Sequence, residues 1–414
     1  MNHYATDMLI NQGGRHYWFA KYLKKQGYEP VVFSCNVRHG KEGKSKFFAE
    51  DALWRLHEAP DGFPFVVIRS TFYSGNGLGR ISNMVVFAWN LIKTSKEYAR
   101  HFGKPDIILA SSVHPLTILA GEYIAKKMKV PCIAEVRDLW PESIYAYYPN
   151  KKKSLVARLL YTVEKHIYER ADSIVFTMEG GRDYIMEKGW DHEHGGPIDL
   201  KKVYYINNGV DLEAFDINKR EYAIQDDDLN DPSILKLIYA GSIRRANNLD
   251  LMLDAAKLEQ STKIRFLIWG DGDQLERMKR RVLDEKIQNI VFKGKVDKKN
   301  VPMIVSRADV NFLILEDSPL FRFGLSCNKI FDYLAAGKPI IIIGDADFSI
   351  IEKHQCGIHA RDISPSSFME AIDQIVEMDP EQYKMMCTNA REAAEDYDFK
   401  VLTQKLVTVI ESHS

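Results

Sequence analysis

The residue types best suited to chemistry lie in one short run, Ser326-Cys327-Asn328-Lys329-Ile330-Phe331-Asp332-Tyr333-Leu334-Ala335-Ala336-Gly337-Lys338-Pro339. Ser326 or Asn328 can cap a helix whose apolar positions Ile330, Phe331 and Leu334 turn inward, and Gly337 followed by Pro339 ends it. The free N–H groups and positive dipole end of such a helix suit a diphosphate. Lys329 in the first turn opposes that dipole, so a bound anion would give it a reason to be there. Asp332, one turn on, can accept hydrogen bonds from ribose hydroxyls. The plainer reading is a capped helix carrying a solvated lysine. Gly13-Gly14, ahead of another helix, would also let backbone approach a diphosphate, although a tight turn explains the pair equally well.

Three further groups carry candidate chemistry. In Glu135-Val136-Arg137-Asp138-Leu139, just past an apolar strand, Asp138 can orient or deprotonate an acceptor hydroxyl and Arg137 can hold a phosphate or carboxylate. Alternatively the two only pair to fix their loop. His114 also follows a strand end, in reach of a sugar, but lone histidines are mostly structural. His192-Glu193-His194 lacks further spaced ligands and is set aside as a metal site.

The elements that must position these groups alternate between strand and helix. Pro30–Ser34, Asp106–Ala110, Val130–Glu135, Ser173–Thr177 and Val203–Ile206 read as strands, with Phe19–Gln26 and Leu116–Met128 as helices. A polar stretch, 207–231, looks like a connection. The pattern then restarts with strands Leu235–Ala240, Ile264–Trp269, Ile290–Phe292, Val310–Ile314 and Pro339–Ile343, separated by helices Leu249–Lys257, Gln274–Glu285 and Ile330–Ala336. This is α/β organisation in two doubly wound halves, with ligands expected beyond the carboxyl ends of the strands and in a cleft between the halves.

Composition narrows the class. Lys and Arg number 56 against 57 Asp and Glu, a net charge of -1 that does not suit a dedicated nucleic-acid binder. The five cysteines are scattered without a CxxC pair, as expected of reduced thiols in a cytoplasmic chain. The apolar stretches Met84–Trp89 and Pro339–Ile343 are too short to span a bilayer, so membrane contact is expected to be peripheral at most. Lys151-Lys152-Lys153 and the helix Leu155–Ile167 would suit anionic lipid, but a core-facing helix beside a solvated lysine loop is the preferred expectation.

The helix-Gly-x-Pro-strand passage at 328–339 resembles the donor-binding segment of glycosyltransferase family 4, and more narrowly the bacterial surface-polysaccharide branch that includes N-acetyl-L-fucosamine transferases. In that family a glutamate five residues before the glycine holds the ribose, and Asp332 occupies the position. Cys327 stands where the branch usually has proline, and Gly324 where the family has a second glutamate, whose role therefore does not carry over. Tyr239-Ala240-Gly241-Ser242-Ile243 resembles the loop carrying an arginine and a lysine for the donor phosphates; Ser242 and Asn247 replace them, leaving Lys329 with Arg244 or Arg245 to supply charge. Trp269-Gly270-Asp271-Gly272 resembles the glycine-rich strand exit, Phe292-Lys293-Gly294 the segment that holds the base, and Asn207-Asn208-Gly209-Val210-Asp211 the hinge.

The resemblance implies a GT-B fold: two Rossmann-like domains facing a cleft, the first 1–205, a linker 206–232, a nucleotide-sugar domain 233–385, and a segment 386–414 returning to the first. It implies transfer from a UDP-sugar, with retained configuration, to a hydroxyl of a polyprenyl-diphosphate-linked glycan at the inner membrane face. Neither a metal nor a cofactor beyond the nucleotide-sugar is expected. A nucleotide-sugar epimerase and a non-catalytic glycan-binding protein are the rival readings. One element is missing from the pattern: no strand precedes Gly13-Gly14, so the first domain is expected to lack its central strand, to show a gap in its sheet, and to continue upstream of Met1.

Overall fold

The computed structural model describes residues 1–38, 52–75, 77–259 and 263–413. They fall into two units, Met1–Asn207 with Phe399–Ser414, and Asn208–Asp398.

In the first unit, β1 (Val32–Cys35), β2 (Trp54–Glu58) and β3 (Pro64–Ile68) form a sheet ordered β1-β3-β2, in which only β2 runs antiparallel. A second, wholly parallel sheet follows chain order through β4 (Ile108–Ser111), β5 (Cys132–Val136), β6 (Ser173–Phe176) and β7 (Val203–Tyr205). β1, β5 and β6 are buried along their whole length, as expected of strands covered on both faces. No strand is assigned within residues 1–10. The expected gap is nevertheless bridged. The amides of Asn2 and Cys35 bond Phe33 O and His3 O, while the amino group of Met1 and the amide of Ser111 bond Leu109 O and Met1 O. Met1–His3 thus satisfies backbone groups of β1 on one side and β4 on the other, which removes the penalty that an open slot would carry.

Helix Phe399–Glu411 packs on helix Arg15–Lys25, burying Phe399, Leu402, Leu406 and Val409 with Phe19, Tyr22 and Ile133. The returning segment therefore begins at Phe399, and residues 386–398 stay with the second unit.

The second unit holds one parallel sheet ordered β10-β9-β8-β11-β12-β13, from β8 (Leu235–Ala240), β9 (Ile264–Trp269), β10 (Ile290–Gly294), β11 (Val310–Ile314), β12 (Ile340–Ile343) and β13 (Gly357–Ala360). Strand order reverses between β8 and β11, and ligands of open α/β sheets lie at such a switch point. The stretch read as a linker is structured: Asp211 caps helix Leu212–Glu221 by accepting from Ala214 N at 2.7 Å, and Phe215 enters this unit's core.

Candidate functional site

Beyond the carboxyl end of β8, the backbone pairing of the sheet continues. Gly241 N donates to Trp269 O and Ile243 N to Asp271 O, both at 2.9 Å, while Gly270 N donates to Gly294 O at 2.8 Å. This contact is too close for side chains. A Cβ on Gly270, whose φ is +151°, would lie 1.8 Å from Gly241 O, and one on Gly272 would lie 2.1 Å from Ile243 O. A Cβ on Gly241 would instead lie 2.1 Å from Lys329 Cε. The glycines are therefore needed for two different things: Gly270 and Gly272 let backbones meet, and Gly241 makes room for the lysine.

Lys329 stands in the first turn of helix Asn328–Ala336. Its Nζ donates to Asn247 Oδ1 at 2.9 Å and lies 5.2 Å from the centre of the Tyr239 ring, while Asn247 Nδ2 donates to Ser242 Oγ at 3.2 Å. Among the described residues no carboxylate pairs with it. Burial lowers its pKa, a cost that an anion placed beside the ammonium would offset. Neither Ser326 nor Asn328 caps the helix as the sequence suggested. Cys327 is the capping position and makes no side-chain hydrogen bond, while Ser326 O accepts from Asn208 Nδ2 at 2.7 Å. Without a side-chain cap from Cys327, this helix start suits an anion. Tyr333 fixes the helix to the sheet, its hydroxyl accepting from Ala240 N at 3.1 Å.

Asp332 is half-buried one turn further on, and burial raises its carboxyl pKa against the opposing pull of Lys298. Arg244 and Ser242 are exposed at the rim. Phe292 is half-buried, and Gly294, at φ +77°, faces open space. A half-buried cation, a polar helix start and a carboxylate one turn apart can hold a diphosphate and its sugar, and can stabilise charge on a departing diphosphate.

The first unit holds a network that the sequence did not single out. Arg15 Nε donates to Glu135 Oε1 at 2.7 Å, its Nη1 to Asn207 O at 2.6 Å and its Nη2 to Ile206 O at 2.9 Å. His16 Nε2 lies 2.8 Å from Glu135 Oε2, which also accepts from Ser111 Oγ at 2.6 Å. Arg15, His16 and Glu135 are 3%, 6% and 0% exposed, so the Arg15–Glu135 pair offsets its desolvation through its own contact, His16, Ser111 and the carbonyls of Ile206 and Asn207. Despite the burial, Arg15 and His16 hold the Glu135 carboxyl well below its usual range. Burial lowers His16 to about 4, leaving it neutral and donating its Nε2 proton to the carboxylate. The signal was a glutamate inside the apolar strand Cys132–Val136.

Gly14, at φ +102°, starts the helix bearing Arg15 and His16, and Gly13 precedes it against the Trp18 ring. Arg137 N donates to Ser112 Oγ at 2.9 Å, and Asp138 beside it is exposed, free to meet an acceptor. His114 is 1% exposed, its Nε2 lies 2.6 Å from His3 Nδ1, and burial lowers its pKa to about 4. His194 pairs with Asp191 at 2.7 Å.

Two family models match, one to each half of the chain: Glycosyltransferase Family 4 over residues 17–214, and Glycosyl transferases group 1 over residues 235–378. The chain is a glycosyltransferase. Among its relatives this glycosyltransferase is 24% identical over 309 residues to the probable glycosyltransferase WbjE of Pseudomonas aeruginosa, covering 73% of this chain and 72% of that one. It is also 24% identical over 291 residues to the putative teichuronic acid biosynthesis glycosyltransferase TuaH of Bacillus subtilis, covering 68% of each. Solved structures show the GT-B fold. A sucrose-phosphate synthase from Thermosynechococcus elongatus superposes with a TM-score of 0.71 at 18% identity over 97% of this chain and 93% of its own. Anabaena HepE, solved with UDP and glucose, gives 0.64 at 14% identity over 97% and 96%.

Proposed function

We propose that this glycosyltransferase moves a sugar from UDP to a hydroxyl of a lipid-linked glycan during surface-polysaccharide synthesis, retaining anomeric configuration, at the cytoplasmic face of the membrane. The observation that carries the donor assignment is Lys329: a half-buried ammonium at a helix start, with no carboxylate partner among the described residues, in a space kept open by Gly241. In this reading Lys329, Arg244 and the N–H groups near Ser326 and Asn328 hold the diphosphate, with Ser242 and Asn247 orienting the lysine. Asp332 takes the ribose hydroxyls, and Phe292 and Gly294 flank the base. The positive groups stabilise the leaving diphosphate, so front-face departure needs no protein nucleophile. Asp138, beside Arg137, serves the acceptor hydroxyl. UDP accompanies sugar in the HepE structure, and TuaH is named for teichuronic acid biosynthesis, a surface polymer; both favour this substrate class.

The test is hydrolysis of a panel of nucleotide-sugars by the purified protein without acceptor, followed by identification of the products. Slow release of free UDP and a sugar of retained configuration is expected. Conversion of a UDP-sugar to its epimer would replace the reading with an epimerase. Failure to bind any nucleoside diphosphate would overturn it.

A further inference from the structure

The helix read from sequence as core-facing turns only part of its apolar side inward. In helix Leu155–Arg170 the inward face is Ala157, Glu164, Ile167 and Tyr168, whereas Leu155, Val156 and Leu159 are 80%, 63% and 63% exposed. A second helix of the same unit, Leu78–Phe102, repeats the arrangement. Asn83, Phe87 and Leu91 are buried, and on the opposite face Leu78, Ile81, Val85 and Trp89 form a stripe 83%, 55%, 52% and 61% exposed. Helix Pro115–Met128 packs against both, joining them in one layer, and shows Tyr123 to solvent between them.

The charge around these residues is one-sided in a chain that is otherwise balanced. Segment 62–96 has four cations and no Asp or Glu, and segment 143–163 likewise has four and none. Three lysines sit beside exposed rings: Lys93 at 5.3 Å from Trp89, Lys127 at 5.6 Å from Tyr123 and Lys151 at 5.2 Å from Tyr148. Apolar side chains at helical spacing, aromatic rings and an excess of cations, of which Lys152 pairs with Glu142, match an anionic bilayer surface, where the first enter the acyl boundary and the last meet phosphate. A monomeric soluble surface rarely leaves so many large apolar groups exposed together.

We infer that the layer of helices Leu78–Phe102, Pro115–Met128 and Leu155–Arg170 docks this unit on an anionic lipid bilayer. The inference deepens the proposed lipid-linked acceptor and rests on that reading, since docking brings the unit bearing Asp138 to the surface in which such an acceptor is anchored. All the helices of the layer feed parallel strands, so Leu78 and Leu155 lie at the end of the unit where β4 and β5 finish.

The experiment is co-sedimentation of the full chain with vesicles of phosphatidylcholine alone or mixed with phosphatidylglycerol, with UDP-sugar hydrolysis measured in parallel without lipid. Binding to the anionic vesicles, weakened by salt, is expected. Leu155→Glu with Leu159→Glu, and separately Leu78→Glu with Ile81→Glu, should each weaken it at least tenfold, leaving thermal unfolding and hydrolysis unchanged. Lys151→Gln with Lys153→Gln should lower the salt dependence. No preference for anionic vesicles, or substituted chains that bind as well as the parent, would overturn docking. So would dimers that the leucine substitutions dissociate while vesicles remain unbound. Hydrolysis persisting through any of these outcomes leaves the donor reading standing, whereas loss of donor binding with intact docking removes only that reading.

Discussion

Lys329 and the three glycines around it make predictions that separate binding from folding. Lys329→Ala should weaken UDP binding about tenfold or more, because a charge-assisted contact to phosphate contributes about 1.5–3 kcal/mol; calorimetric titration measures it, and unchanged affinity would remove the phosphate role. Gly241→Ala places a methyl group against the lysine's flexible stem, so the stem swings aside. That variant should keep its thermal midpoint and still lose UDP affinity. Gly270→Ala meets carbonyl backbone at a φ of +151° instead, and should lose stability, by about 2 kcal/mol or more, before any question of binding arises. At the exposed carboxylate, Asp138→Asn should lower kcat with little change in donor affinity if the group serves the acceptor. The placement of Lys329 at a helix start was legible because a lysine in a first helical turn contradicts local electrostatics, and such a contradiction is visible in one dimension. The Arg15–Glu135 pair was not, since its members lie 120 residues apart and only the sheet brings them together.

Elements with a single clean period were legible, and those without one were not. β8, β9, β11 and β12 are largely apolar runs, interrupted only by Lys236, Arg265 and Asn311, and their bounds follow from sequence almost to the residue. β2, half-exposed and reading Trp-Arg-Leu-His-Glu, gives no such run, and helix Leu78–Phe102 hides its period by being apolar on both faces. The network tying helix Arg15–Lys25 to β5 gives this scale its prediction, read from pH. His16 has a folded pKa of about 4, below the roughly 6.5 of an unfolded histidine, so the unfolded chain takes up the proton first. The stability it contributes is present above about pH 6.5 and lost as pH falls toward 4. Glu164, raised to about 8 by burial, and Glu122, raised to about 7, act in the opposite sense, losing stability as pH rises. The difference between the parent and His16→Asn therefore isolates the histidine: denaturant titrations at pH 7 and pH 5 should show the parent losing more stability than the variant.

Across the whole molecule, the two units differ in how the chain builds them. The second is continuous from Asn208 to Asp398, whereas the first takes Met1–Asn207 and then waits for helix Phe399–Glu411 to cover Phe19 and Tyr22. Truncating Leu406 to Ala should cost about 3 kcal/mol, felt in the first unit's unfolding transition and not in the second's. The wrapped arrangement also sets an order in time. As the chain leaves the ribosome, the second unit emerges entire and can collapse on its own strands, while the first, although synthesised earlier, still shows an uncovered apolar face on helix Arg15–Lys25. Its completion waits until helix Phe399–Glu411 has been made. A chain stopped at residue 398 and released should accordingly yield a protease-resistant fragment from residues 208–398 before it yields one from residues 1–207.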